Sequence, residues 1–288
     1  MSIILSILVD GVAYGMILFM IAVGLSVIMG LMRVINLAHG GFALMGGVLA
    51  HWFTVQLGMP FVAGAGLAVL ATMALAYPME TLVYSRIYKM SDLQQVLATI
   101  GIVFLMIASA NFLFGSTLLP IRLPDWMQGS VDLGFRVLPV HRIVVIIAGL
   151  IVIAGLYLLI DRTRFGIRLR AAVDHRETAA TLGIDTDRVF ALTFMLGAGL
   201  AALGGVLGAE LLPIDAYYPL RYMVLFLIVV SVGGYGSITG SFVAAIGLGI
   251  LDTAARYLVP DIAGIAFFLA VMAVLAFRPD GLLIKKRA

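Results

Sequence analysis

Residues 3–32 read IILSILVDGVAYGMILFMIAVGLSVIMGLM, and Asp10 is the single charge among them. About 20 mostly apolar residues in a helix cross about 30 Å of hydrocarbon. This run is longer than that. It has no basic n-region and exceeds the core of a signal peptide, so it reads as a retained first span and not as a cleaved leader.

The rest of the chain repeats the pattern. Of 288 residues, 63% are apolar and 11% are charged, with a mean hydropathy of +1.15. A typical soluble domain is about 25% charged. The 18 basic and 15 acidic residues cannot cover a globule of this length, which excludes a soluble enzyme, a nucleic-acid binder and a disordered chain. The absence of cysteine excludes disulfides, thiolate zinc sites and iron–sulfur clusters. The class that remains is an all-α, polytopic transmembrane helical bundle.

Apolar runs predict spans at 3–29, 40–57, 59–84, 93–114, 140–160, 189–211, 220–235, 239–258 and 262–277, within a range of eight to ten, in one transmembrane domain over 1–288. The second and seventh are short and glycine-rich, and the seventh also fits a half-helix. Loop charge predicts the orientation. With the N-terminus outside, thirteen basic residues fall on the cytoplasmic side: Arg33, Arg86, Lys89, Arg162, Arg164, Arg168, Arg170, Arg176, Arg188, Arg278, Lys285, Lys286 and Arg287. Five fall outside: Arg122, Arg136, Arg142, Arg221 and Arg256. The tail and the 161–188 loop are then cytoplasmic. The outer loop 115–139, with Pro120, Pro124, Trp126 and Pro139, reads as an ordered cap that a soluble partner touches.

Small residues predict where helices meet. Gly197, Ala201, Gly205 and Ala209 recur every four residues, beside Gly204 and Gly208, and such faces let backbones approach closely. Polar interruptions mark the rest of the membrane region. Asn36-Leu37-Ala38-His39-Gly40-Gly41 has two readings: a cytoplasmic-side turn with Asn and His capping helix ends, or a broken helix beside a translocation path. Gly233-Gly234-Tyr235-Gly236-Ser237 followed by Ile238-Thr239-Gly240 is either a gate or a plain turn. It lacks the Gly-Lys-Ser/Thr ending of a phosphate loop. Asp10 either faces a substrate ammonium or is solvated at the interface. Asp252 and Arg256 are spaced to pair on one helix face. Glu80 and Glu210 fall near span ends, where water is expected. The four histidines are scattered, and neither His-Glu-x-x-His nor Gly-x-Ser-x-Gly occurs. The sequence thus holds no catalytic constellation and implies no cofactor or metal.

The 161–188 loop is the most charged stretch of the chain. It predicts a short helix over about 174–182, stopped by Gly183. Two readings stand: a solvated loop at anionic headgroups, or a docking helix whose small residues enter a cleft while Arg176 and Glu177 fix its orientation.

Glu177-Thr178-Ala179-Ala180 with Gly183 resembles the Glu-Ala-Ala…Gly coupling motif of ABC-importer permeases. Further stretches resemble motifs of the branched-chain amino acid permeases, in order across nearly the whole chain. They are Asn36-Leu37-Ala38-His39-Gly40 with Phe42 and Gly46, Arg162-Thr163-Arg164-Phe165-Gly166, Leu182-Gly183-Ile184 with Asp187-Arg188-Val189, Gly233-Gly234-Tyr235-Gly236-Ser237, and Arg278-Pro279-Asp280-Gly281-Leu282. The short chain and the N-terminal pattern resemble the LivH-type subunit more than its longer LivM-type partner.

The resemblance implies an ABC-importer permease of a bacterial inner membrane that performs no chemistry itself. It implies a second permease subunit (LivM-type or a second copy), two cytoplasmic ATPases and a periplasmic binding protein. It places ATPase coupling at Asp174, His175, Arg176, Glu177, Ala179, Ala180 and Gly183. It places the translocation path, less directly, at Asn36, His39, Gly40, Gly41, Gly233, Gly234 and Ser237, to which the residue reading adds Asp10. Departures stand at Gly41, at Asp10 where the pattern has Asn, and at Thr178 where it has Ala. They bear on the substrate: branched-chain or other hydrophobic amino acids, or else urea, short amides or aromatic acids. A secondary transporter or channel using Asp10 and Glu210, and a membrane hydrolase using His51, are the competing classes.

Overall fold

The computed structural model describes residues 2–32, 36–132, 134, 137–278 and 281–282. Arg33, Arg136, Pro279, Asp280, Lys285, Lys286 and Arg287, used above for orientation and for the closing motif, lie outside the described residues. The helices are α1 (Ser2–Met32), α2 (His39–His51), α3 (Phe61–Met79), α4 (Ser85–Ile87), α5 (Asp92–Phe114), α6 (Asp125–Gln128), α7 (Val140–Arg162), α8 (Arg164–Asp174), α9 (Arg176–Thr181), α10 (Thr186–Gly208), α11 (Tyr218–Gly233), α12 (Ile238–Leu258) and α13 (Ala263–Phe277). A small antiparallel hairpin, β1 (Ser130–Asp132) with β2 (Val137–Pro139), sits in the 115–139 loop.

Among the described residues, seven helical segments are long and apolar enough to cross a membrane: Ile3–Gly30, Phe61–Ile87, Asp92–Phe114, Val140–Arg162, Thr186–Gly208, Ile238–Leu258 and Pro260–Phe277. The two runs singled out as short remain short. α11 has 16 residues, about 24 Å of rise. α2 continues as a π-helix over Trp52–Gln56.

Apolar runs of about 20 residues satisfy their backbone groups in lipid as helices, being too long and continuous for barrel strands. Polar side chains then set the ends. Ser91 and Gln94 form a capping box at α5. Asp185 Oδ1 accepts from the Arg188 amide at 3.0 Å at α10, and Ser237 Oγ accepts from the Gly240 amide at 2.9 Å at α12. Pro78 interrupts the end of α3, and a π-helix over Glu80–Tyr84 follows. Hydroxyls serve the carbonyls around it: Thr81 donates to Tyr77 O at 3.1 Å and Ser85 to Thr81 O at 2.7 Å.

α1 is the hub, packed by α2, α7, α10, α11 and α12 and buried along nearly all of its apolar length. Glycine makes this possible. A Cβ on Gly24 would stand 2.4 Å from Gly197 O, and one on Gly15 would stand 2.8 Å from Ala245 O. The expected small-residue face of α10 does pack, and it divides between two neighbours. Gly197, Gly204 and Gly208 meet α1 at Gly24, Ile21 and Ile17, while Gly205 meets Ala43 of α2.

These contacts give directions. α10 runs antiparallel to α1, so the Thr186 end of α10 lies at the Met32 end of α1. Gly30 touches Gly236, which puts the 233–237 turn at that same end.

α7 and α13 are mostly exposed, as are Leu97, Leu105 and Phe112 of α5. Apolar exterior of this extent belongs in hydrocarbon. The cap is tied down from below: His51 Nδ1 meets Pro120 O at 2.6 Å and Leu119 N donates to Ile214 O at 2.8 Å. Beside it, His141 Nε2 of α7 meets Leu207 O of α10 at 2.8 Å.

Candidate functional site

The 161–188 loop is helical over most of its length. Thr163 breaks α7 from α8; its hydroxyl donates to Leu159 O at 2.5 Å and accepts from the Gly166 amide at 3.4 Å. α8 then folds across the end of α7, and a Cβ on Gly166 would stand 1.9 Å from Ile160 O. That approach explains the glycine of the Arg-Thr-Arg-Phe-Gly stretch. Leu169 and Ala172 of α8 form a small core with Val189 and Phe190 of α10, apart from the main core.

The helix expected over 174–182 is shorter. Asp174 ends α8, and His175 (φ −147°, ψ 85°) separates it from α9 at Arg176. The hydrogen-bonded stop is as expected. Gly183 has φ +83°, Ile184 N donates to Ala179 O at 3.1 Å and Gly183 N donates to Ala180 O at 3.0 Å. These are the two bonds of a Schellman cap. Ala179 is buried, whereas Arg176, Glu177, Thr178, Ala180, Thr181 and Leu182 are exposed, Leu182 at 76%. α9 thus offers a small ridge with one projecting apolar side chain.

Arg176 does not point freely outward. Its guanidinium holds Asp187 Oδ1 at 2.6 Å and lies 4.9 Å from the centroid of the Phe190 ring, which braces α9 on the first turns of α10. On the π-helix that packs against α10, Glu80 is only 4% exposed. The sequence reading placed Glu80 where water reaches; the fold buries it. Burial pushes the neighbouring Tyr88 hydroxyl well above the ordinary tyrosine range, with Glu80 adding to the push and Arg176 opposing it.

The Asn36–Gly41 stretch turns at 37–38 into the start of α2 and lies inside the bundle. His39 Nε2 meets Ile21 O at 2.9 Å, and Ile21 lies eleven residues before the end of α1, about 16 Å of helix rise. α2 therefore begins deep beside α1. Asn36 and His39 are each 1% exposed. Asn36 Oδ1 accepts from the Ala38 amide at 3.0 Å and from the Tyr84 hydroxyl at 3.1 Å. Gly40 rests on Phe226 and Pro219 of α11 and Gly41 on Met106 of α5. α2, α3 and α5 line an apolar groove of about 720 Å³ that is open on one side, with Met106 in its wall.

The 233–237 stretch is a tight turn between α11 and α12. Gly234 (φ +93°) and Gly236 (φ +76°) adopt left-handed backbone. A Cβ on Gly240 would stand 1.9 Å from Gly233 O. Leu282 N donates to Val232 O at 2.7 Å, which lays the last described residues along this turn. Asp10 sits at the far end of the bundle. Its carboxylate is paired with Arg142 of α7 and accepts from the Tyr257 hydroxyl at 2.8 Å. Asp252 and Arg256 pair as their spacing predicts, at 2.7 Å.

This bundle, with a capped helical ridge at one face and a helix broken at depth, is matched by a known family. Residues 7–276 match the family described as "Branched-chain amino acid transport system / permease component". The chain belongs to this family of transport permeases. Three relatives resemble the permease along most of its length. LivH of Escherichia coli, a high-affinity branched-chain amino acid transport system permease protein, is 26% identical over 95% of this chain and 93% of its own. BraD of Pseudomonas aeruginosa, with the same description, is 27% identical over 96% and 94%. A probable branched-chain amino acid transport permease protein LivH of Methanocaldococcus jannaschii is 27% identical over 91% and 84%. No solved structure matches.

The permease brings the predicted residues together in three places: 174–183 at the α9 face, 233–237 at the same end, and 36–41 inside the bundle. Asp10 stands apart from all of them. Among the described residues, no group of three or more His, Asp or Glu is placed to hold a metal. Sequence reading did not find Tyr84, Phe190 or Phe194, because aromatics in an apolar run carry no signal of their own. The one available hint was Pro78, six residues before Tyr84 in a helical run.

Proposed function

We propose that this permease is one membrane-spanning subunit of an ABC importer for branched-chain or other hydrophobic amino acids, in a bacterial inner membrane. The observation that carries the reading is α9, an exposed and rigidly capped ridge on a protein of this family. Of the two ATPases, one docks at the α9 face of this chain, through Thr178, Ala180, Thr181 and Leu182, and the other on the second permease subunit. Arg176, Ala179 and Gly183 hold the ridge in shape, while Asp174, His175 and Glu177 border it. The N-terminus and the 115–139 cap lie outside, where a binding protein delivers substrate; the thirteen-to-five distribution of basic residues supports this orientation. A second permease subunit, of LivM type or a second copy, completes the pore.

The break at Asn36, His39, Gly40 and Gly41, with the groove beside α2, is this chain's contribution to the path. Broken helices are tolerated at depth only when buried or lining a cavity. Gly233, Gly234 and Ser237 shape the inner end of the path. ATP and the loaded binding protein shift the bundle between outward and inward access by binding the two states differently.

Reconstitution of the four kinds of subunit in liposomes tests this. Radiolabelled leucine is expected to accumulate only with ATP inside and binding protein outside, with urea, acetamide and phenylalanine as competitors that define the substrate class. Accumulation that persists without the ATPases contradicts the reading and favours a secondary transporter.

A further inference from the structure

Tyr84 occupies an unusual position. It ends the π-helical segment of Glu80–Tyr84 and is completely buried. Its hydroxyl donates to Asn36 Oδ1 at 3.1 Å, in the break before α2. Its ring lies 4.6 Å from that of Phe194 on α10, and Phe194 in turn meets Phe42 of α2 edge-on at 5.5 Å. Phe194 is one helical turn beyond Phe190, on which Arg176 is braced. The same π-helix begins with the buried Glu80 and packs against α10. One short irregular segment therefore lies against the helix that carries the brace and meets Asn36 at its last residue.

π-helical turns are less regular than α-helical ones and are found at functional sites. The hydroxyls of Thr81 and Ser85 add bonds to the carbonyls of Tyr77 and Thr81 around this one. Such a segment can change pitch without unfolding the helix on either side. α10 is the link: it carries Asp187 and Phe190 at the α9 end and Phe194 beside Tyr84. A displacement of α9 carried along α10 reaches Asn36 through the Tyr84 side chain.

We propose that Tyr84 is a positioning residue for transport, coupling α9 to the break at Asn36–His39 through its hydrogen bond to Asn36 and its ring contact with Phe194. The proposal rests on the reading of α9 as the ATPase-docking helix. Coupling of this kind needs a segment whose state both ends bias, and residues 80–84 supply it.

The test is a double-mutant cycle in the reconstituted complex, reading leucine transported per ATP hydrolysed. Tyr84→Phe removes the hydroxyl and keeps the ring, so the complex is expected to assemble with an unchanged thermal midpoint. The ratio is expected to fall about fivefold, the factor carried by one hydrogen bond lost from a two-state equilibrium. Arg176→Gln, which breaks the brace, is expected to lower the ratio severalfold. Because the two act in series, the double variant is expected to be no worse than the more severe single one. A wild-type ratio for Tyr84→Phe, or a double variant equal to the product of the singles, overturns the role of Tyr84. A wild-type ratio for Arg176→Gln and also for variants at Leu182 removes the docking reading itself. A structural role alone would lower the thermal midpoint and leave the ratio untouched.

Discussion

Gly183→Pro is expected to abolish most leucine uptake while leaving a folded, membrane-inserted permease. Gly183 holds φ +83° with nothing within 4 Å of where a Cβ would stand, so a new side chain clashes with nothing. The damage is confined to the backbone. Proline fixes φ near −65° and removes the amide that donates to Ala180 O. Non-glycine residues pay about 1–2 kcal/mol in left-handed backbone. Proline cannot reach φ +83° at such a cost, so in Gly183→Pro the native end of α9 is lost outright and uptake is expected to fall by more than about 30-fold. Gly183→Ala keeps the amide and is expected to lose about fivefold to tenfold. Uptake per ATP, with thermal melting as a control, checks the pair. Equal uptake in both variants and wild type would show that α9 is only a solvated connection.

The second large effect lies at the other end of the molecule and concerns stability. Asp10 is 8% exposed and paired with Arg142 from α7, and Tyr257 of α12 donates to it. It thus joins three helices. Removing one partner of a buried ion pair costs about 3–5 kcal/mol, because the other charge stays behind. Arg142→Met is therefore expected to lower thermal stability sharply, and Asp10→Leu in the same chain to restore much of the loss, since replacing both charges by apolar groups is often near neutral. Thermal midpoints of the purified permease in lipid nanodiscs measure this. The pairing also gives Asp10 an occupation other than a substrate ammonium. If Asp10→Leu with Arg142→Met recovers stability but not uptake, the carboxylate contributes to transport as well.

Much of the architecture is legible in the sequence because lipid makes apolar content decisive. The runs at 93–114 and 239–258 coincide with α5 and α12 to within a residue. The stop at Gly183 follows from one residue type and one backbone geometry. Asn36–Gly41 was ambiguous for a physical reason. Asn and His cap helices at a surface and also serve broken backbone at depth, and only the contact of His39 with Ile21 separates the two. Glu80 is misplaced because distance from a span end, counted in residues, ignores what packs over it; its π-helix packs against α3 and α10. Tyr84 carried no polar or charged signal in sequence. Its role depends on a partner 48 positions away, a pairing that periodicity does not encode.

The central claim is that the ridge of α9 is where ATP-driven motion enters this permease. The chain contains no cysteine, so Leu182→Cys places a single thiol on that ridge. The decisive measurement is labelling and cross-linking of this thiol in sealed vesicles. The account predicts that a membrane-impermeant maleimide reaches it only from the cytoplasmic side, that bound ATPase protects it, and that oxidation with an ATPase carrying cysteines along its docking cleft yields a cross-linked pair. Labelling from the outer side, or equal labelling with and without bound ATPase, would contradict it.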